Sequence, residues 1–450
     1  MKPTCSLVLF VFALQCATAD ARPNIIYILA DDLGYGDLSC YGQRTLKTPH
    51  LDRMAKEGML FTRHYAGSTV CAPSRCVLLT GLHTGHARIR GNGRAVLKDE
   101  DVTIAEVLRD AGYKTGCVGK WGVGHPPLND PKRNGFDYFY GYISMWHAHN
   151  FYPEFIVRNG EKVPLKNRVK ERFKKSDGRG VAVEKKDYVP DLVTEEALSF
   201  IDRNKAGPFF LYIALNVPHA NNEAGAAGME VPDHGEFRDK KWKDSEKGFA
   251  SMIRNIDRDV GRVLAKVKEL GLDENTLVIF TSDNGPHQEG GHNADFFSSS
   301  GKLRGKKRDL YEGGVRVPMI ARWPGKIAPG QSTAHISGFQ DVFPTFAELG
   351  ETKDTTPTDG ISFLPALLGK GKQKKHDYLY WEFLERGGKK AVLKGNWKAI
   401  RQNTRRTPNG PVELYDLSKD IGEQNNIAAL NPEIASELAR LMEEAHRDLN

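Results

Sequence analysis

Asn24-Ile25-Ile26-Tyr27-Ile28-Leu29-Ala30 is an apolar run that ends on a pair of acids, Asp31-Asp32. A run of this length without polar alternation reads as a buried strand, with the two carboxylates just past its carboxyl end. The same pattern returns along the chain. Thr103 to Asp110 reads as a short helix closed by Gly112, and Tyr113 to Val118 as the next strand. Pro190 to Asn204 carries Val193, Ala197, Phe200 and Ile201 on one helical face, and Phe209 to Leu215 is again strand. The longest helix runs from about Lys247 to Leu270, where Ile253, Ile256, Val260, Val263, Leu264 and Val267 form one apolar stripe. Gly271 ends it, and Leu277 to Thr281 is another strand. Strands alternating with amphipathic helices predict an α/β layered fold with a largely parallel sheet.

The tail has a different character. Beyond Gly369 a basic, glycine-containing stretch to Lys375 reads as a linker. Residues 378–383, 390–393, 397–401 and 412–417 then read as short antiparallel strands. A last helix opens with Asn431 as N-cap and Pro432 at its first position, with Ile434, Leu438, Leu441 and Ala445 facing inward. The expected division is a large α/β domain at 20–369 and a smaller α+β subdomain at 370–450.

Residues 1–19 read as a secretory leader: Lys2, an apolar run from Leu7 to Leu14, and the small-x-small pattern Ala17-Thr18-Ala19. That run is too short to span a membrane, and no later segment reaches spanning length. The mature chain is therefore expected in the periplasm, outside the cell or in a lumen. Of the cysteines at 5, 16, 40, 71, 76 and 117, two leave with the leader. With Cys71 set aside for chemistry, Cys40, Cys76 and Cys117 are an odd number, which argues against a disulfide framework. The net charge is +7, and residues 162–186 hold ten Lys or Arg against three Asp or Glu. That stretch reads as a solvated surface insertion or a landing surface for a polyanion. No nucleic-acid-binding motif accompanies it.

Cys71-Ala72-Pro73-Ser74-Arg75, followed by Leu79-Thr80-Gly81, places a thiol at a helix start, with Pro73 at the first helical position. Free backbone N–H groups and the positive end of the helix dipole make such a place an anion site. A cysteine there is expected to have a lowered pKa and to act as a nucleophile toward an anionic substrate. Three other polar groups fall past predicted strands together with Asp31-Asp32: Lys120, His219 and Asp283-Asn284. Ligands in open α/β sheets bind outside those strand ends. Asp31, Asp32, Asp283 and Asn284 form an all-oxygen set suited to Ca²⁺ first and Mg²⁺ second.

The segment beginning at Cys71 is similar to the sulfatase signature. With the motifs from Asn24 to about Val317, the chain resembles the type I sulfatases of the alkaline phosphatase superfamily. The resemblance implies that Cys71 is converted to formylglycine by a maturation enzyme. It implies that Asp31, Asp32, Asp283 and Asn284 hold a calcium ion beside residue 71. It implies that Arg75 braces the hydrated aldehyde, and that Lys120, His219 and Lys307 grip the sulfate and serve the leaving oxygen. Lys307 is placed by Leu303-Arg304-Gly305 before it and Tyr311-Glu312-Gly313-Gly314 after it. In the implied reaction one hydroxyl of the aldehyde hydrate attacks sulfur, and loss of a proton from the other expels sulfate. The expected substrate is a sulfated carbohydrate.

Two positions depart from the family. Sulfatases often carry a histidine where this chain has Gly122, and the signature commonly ends in arginine where this chain has Leu82. His147 and His149, in a loop with Trp146, Phe151 and Tyr152, are candidates for the missing base or for substrate binding, and the aromatics for stacking on sugar rings. His83 and His86 could also reach the pocket. Two other readings stay open: a formylglycine-dependent phosphodiesterase or phosphonate monoester hydrolase, and a sulfated-glycan-binding relative without turnover.

Overall fold

A computed structural model describes residues 22–448 except 94, 126–129, 174 and 176. The leader expected at 1–19, with Cys5 and Cys16, lies outside the described residues. Five parallel strands form the centre of a large sheet, in the order Thr276–Ser282, Asn24–Ala30, Phe209–Ala214, Lys114–Lys120 and Tyr138–Tyr142. Antiparallel strands extend both sides. Arg316–Arg322 and Met59–Tyr65 flank one edge; the hairpin Phe155–Arg158 and Glu161–Pro164 flanks the other.

The apolar run that opened the reading explains why the sheet is covered twice. Side chains alternate across a strand, so Ile25, Tyr27 and Leu29 enter one core while Ile26, Ile28 and Ala30 enter the other. On the first face pack the helices Cys71–Thr80, Ile104–Asp110 and Val342–Leu349. On the second pack Pro49–Glu57, Val189–Arg203 and Asp244–Glu269. Each member of the stripe from Ile253 to Val267 is buried there, as its 3.6-residue spacing requires. Thr103 caps the Ile104–Asp110 helix through a capping box with Glu106.

A four-stranded antiparallel sheet, Leu379–Phe383, Lys389–Lys394, Trp397–Gln402 and Glu413–Asp416, follows at the C-terminal end. The helix Pro432–Glu444 covers it with Ala435, Leu438 and Met442; Ile434 and Leu441 lie half-buried at its margin. Asn431 stands at the N-cap but does not cap with its side chain, which donates instead to the Ile427 carbonyl. Cys40, Cys71, Cys76 and Cys117 are all free thiols. No described helix is long and apolar enough to cross a membrane.

Candidate active site

The carboxyl ends of the parallel strands set the site. Asp31 and Asp32 directly follow Ala30, Asp283 and Asn284 directly follow Ser282, and Lys120 is the last residue of its strand rather than beyond it. His219 stands five residues past Ala214. Cys71 is the first residue of its helix, with Val70 at the N-cap, so Pro73 sits two positions further in than its sequence suggested. Lys307 reaches in from a loop, its backbone N–H donating to the Pro286 carbonyl at 2.9 Å.

These side chains form one continuous network. Lys120 Nζ donates to Asp31 Oδ2 at 2.6 Å. Arg75 donates through Nε to Asp283 Oδ2 at 3.0 Å and through NH1 to the Lys120 carbonyl at 2.6 Å. Asn284 Nδ2 donates to Asp32 Oδ1 at 2.7 Å, and the Asp32 N–H donates to Asp283 Oδ1 at 3.1 Å. Lys307 Nζ donates to Asp32 Oδ2 at 2.7 Å, to His219 Nε2 at 3.0 Å and to Glu289 Oε2 at 3.0 Å. His219 Nδ1 donates to the Ala220 carbonyl at 2.7 Å, which fixes Nε2 as the acceptor facing Lys307. Asp32 holds φ +68°, a left-handed conformation that a non-glycine residue adopts at a cost.

Burial and charge set the protonation states. Burial alone would raise the Asp31 carboxyl, but Lys120, His219 and Arg75 around it hold it well below the carboxylate range. Asp283 goes the other way: burial and the charge of Asp31 push it up to about 7. Burial, with the charge of Lys307, pushes His219 down to about 3, so its ring is neutral. Lys307 stays charged because Asp32 and Glu289 outweigh its burial. The expectation of a lowered Cys71 pKa is corrected. Burial raises that thiol, the carboxylates of Asp31 and Asp283 oppose its ionisation, and Lys120 only partly offsets them.

Two buried oxygens in the network, Asp31 Oδ1 and Asn284 Oδ1, have no hydrogen-bond partner. A buried acceptor left without a donor is costly. Buried oxygen donors gathered around such unpartnered atoms suit a hard divalent cation. Asp31, Asp32 and His219 offer ligand atoms within 4.8 Å of one another. The residues present fit such an ion.

Of the two loop histidines, only His149 reaches this cluster. Its ring stacks on His219 at 4.8 Å, and its Nδ1 lies 3.4 Å from Glu223. His147 packs between Tyr142 and Phe155 and bonds the Phe155 carbonyl at 3.1 Å. Phe151 and Tyr152 are buried against Tyr188 and offer no face to a sugar; Trp146 is half-buried, stacked on His125 with Arg179 over it. His83 and His86 stack on each other and pair with Asp359, apart from the network. Leu82 packs against the core.

Gly122 has φ +78°, and a Cβ there would lie 3.2 Å from Arg75 Cδ. The local backbone thus matches glycine rather than a histidine. Three further residues escaped sequence reasoning. Asn92 approaches Cys71 Sγ at 3.5 Å and accepts from the Ala72 N–H at 3.1 Å. Glu289 bridges Lys307 and Arg308. Only the glycines on either side of Asn92, which mark a turn, offered a signal.

The chain is also similar to known proteins. The sulfatase family model matches residues 23–352, and a model described as N-sulphoglucosamine sulphohydrolase, C-terminal, matches residues 305–448. The chain is 33% identical to an N-acetylgalactosamine-6-O-sulfatase of Bacteroides thetaiotaomicron, covering 94% of this chain and 93% of that one. It is 34% identical to arylsulfatase A of Homo sapiens, covering 96% and 89%. Among solved structures, Ps i-CgsB in complex with k-i-k-neocarrahexaose superposes with a TM-score of 0.79 at 29% identity, covering 94% of this chain and 92% of that one.

Proposed function

The chain belongs to the sulfatase family, and we propose that it removes sulfate esters from a sulfated carbohydrate, using Cys71 in its formylglycine form and a calcium ion. Membership makes it a sulfuric ester hydrolase of the alkaline phosphatase superfamily. The observation that carries the fuller reading is the convergence at the strand ends. A residue at a helix start, two buried lysines and a carboxylate set with unpartnered oxygens all meet there.

Asp31, Asp32, Asp283 and Asn284 are the residues that would hold the calcium ion, which when bound supplies positive charge to the sulfate oxygens. As formylglycine, produced by a separate maturation enzyme, residue 71 supplies a hydrated aldehyde hydroxyl as the nucleophile toward sulfur. Arg75 braces the position of residue 71 through its grip on Asp283. Lys120, charged and buried, faces the oxygens where negative charge grows. Lys307 and His219 share one proton path to the departing sugar oxygen. Lys307, kept charged by Asp32, gives its proton to that oxygen, while His219 Nε2 accepts a hydrogen bond from the lysine and orients it.

The carbohydrate substrate is supported by the N-acetylgalactosamine-6-O-sulfatase relative and by the oligosaccharide bound in the similar solved structure. The leader read at residues 1–19 supports export. The test is sulfate release from para-nitrophenyl sulfate and from sulfated N-acetylgalactosamine by matured protein, with bis-nitrophenyl phosphate as the control. The expected result is a clear preference for the sulfate esters. A preference for the phosphodiester would contradict the proposal.

A further inference from the structure

A cleft of about 630 Å³ between Arg22, Glu106 and Asp354 lies by the amino ends of the central strands, away from the site. A smaller groove borders the site through Asn92. It has a volume of about 310 Å³, at the lower edge of the ~300–1,000 Å³ typical of small-ligand sites, and Asn92 is part of its wall. Asn92 also touches Cys71 Sγ at 3.5 Å, so the groove begins one side chain from residue 71.

Its opposite wall comes from the C-terminal sheet. The turn joining Leu379–Phe383 to Lys389–Lys394 contributes Leu384 and Glu385, and the loop after Trp397–Gln402 contributes Arg405. Those two loops are joined by backbone bonds, Thr404 N–H to the Gly388 carbonyl and Arg405 N–H to the Gly387 carbonyl, each 3.0 Å. Glu385 accepts from the Asn92 N–H at 2.6 Å, which holds the turn against the residue next to Cys71.

The charges along the groove differ in their commitments. Arg90 is buried against Glu382, and Arg88 is held by Asp101 and Glu100. Arg405 is exposed, and no described acid pairs with it. Beside it Leu384 is 40% exposed, an apolar surface of the kind a sugar face covers. Gly91 and Gly93 also line it.

We propose that this groove binds the sugar next to the one that loses its sulfate, and that Arg405 reads an anionic group on that sugar. The inference rests on the sulfatase reading above and names the part of the substrate that lies beyond the scissile ester. A guanidinium presents a planar fork to either a sulfate or a carboxylate, so both sources share one chemistry.

The experiment uses full-length Cys71→Ala protein, which removes turnover from the measurement, with and without Arg405→Ala. Calorimetric titration with a chondroitin 6-sulfate tetrasaccharide (carboxylate on the neighbouring sugar) and with an iota-carrageenan tetrasaccharide (sulfate on the neighbouring sugar) separates the two sources. Sulfated N-acetylgalactosamine, which has no neighbour, is the reference. At least one tetrasaccharide should bind more tightly than the monosaccharide, and Arg405→Ala should weaken it about tenfold while leaving the monosaccharide unchanged. Equal binding of mono- and tetrasaccharides, or indifference of both tetrasaccharides to Arg405→Ala, would overturn the proposal. Para-nitrophenyl sulfate turnover by the Arg405→Ala single variant should match that of the parent. Loss of aryl sulfate turnover in the parent itself would instead strike the sulfatase reading, so the two failures are distinguishable.

Discussion

Arg75 and Asp283 form a fully buried ion pair, with Asp283 Oδ2 2.9 Å from NH2 and 3.0 Å from Nε of the arginine. Even against that guanidinium the Asp283 carboxyl is pushed up to about 7 by burial and by Asp31. Burial and the neighbouring carboxylate therefore oppose its ionisation even with matched cations around it, and two buried oxygens beside it, Asp31 Oδ1 and Asn284 Oδ1, lack a donor.

Removing the arginine should expose the crowding of these two acids. Arg75→Met leaves Asp283 and Asp31 buried with less opposing charge, and breaking a buried pair from one side costs about 3–5 kcal/mol. Denaturant unfolding should show a loss of this order. A change within about 0.5 kcal/mol would mean that the pair is not what holds the two acids in place.

A divalent cation should engage the oxygens left without a donor in the native chain. Chelation with EDTA is expected to lower the melting temperature and the rate of sulfate release, and Ca²⁺ to restore both. Asp283→Ala should remove the calcium-dependent rise in melting temperature. A thermal scan that ignores both chelator and calcium would refute the ion assignment.

Lys307 donates to Asp32, His219 and Glu289 at once, all within 3.0 Å. If it carries the proton for the leaving oxygen, Lys307→Met should lower kcat about 10²–10⁴-fold on sulfated sugars. The loss should be smaller on aryl sulfates, whose leaving groups need little protonation. Equal losses on both substrates would assign Lys307 to charge stabilisation instead.

His64, far from the site, gives a pH prediction. Its ring is fully buried, Nδ1 lies 2.9 Å from Ser337 Oγ, and burial holds its pKa down to about 3. A histidine with a depressed folded pKa contributes stability above its unfolded value, near 6.5, and loses it as pH falls toward about 3. Stability should therefore decline on acidification through that window. His64→Gln, which keeps a partner for Ser337 but does not titrate, should flatten the decline; an unchanged slope would show that other groups set it.

The legible parts of the chain were those where one physical requirement acted alone. Asn24–Ala30, Phe209–Ala214 and Thr276–Ser282 are buried on both faces, so their apolar runs are unbroken and read directly as strands. Arg316–Arg322 was hidden by Pro318, which sits where the register shifts against Met59–Tyr65, and by two arginines. Those arginines are buried because acids meet them, Glu312 four residues before Arg316, and Glu57 and Asp273 reaching Arg322 from distant segments. The same distinction holds in the site. Motif residues could be placed by the strands that precede them, whereas Asn92, Glu289 and Arg308 act from loops whose paths depend on the whole fold. The Cys71 pKa was misjudged because a helix start favours a thiolate, while the neighbouring carboxylates and the burial that oppose it are tertiary facts.

The account turns on the chemical identity of residue 71. Peptide mass spectrometry of active, matured protein across the Cys71–Thr80 segment tests it most directly. The expected peptide has lost its sulfur and carries an aldehyde that a hydrazide captures, in proportion to specific activity. Full sulfate-releasing activity from protein whose residue 71 is an intact thiol would contradict it.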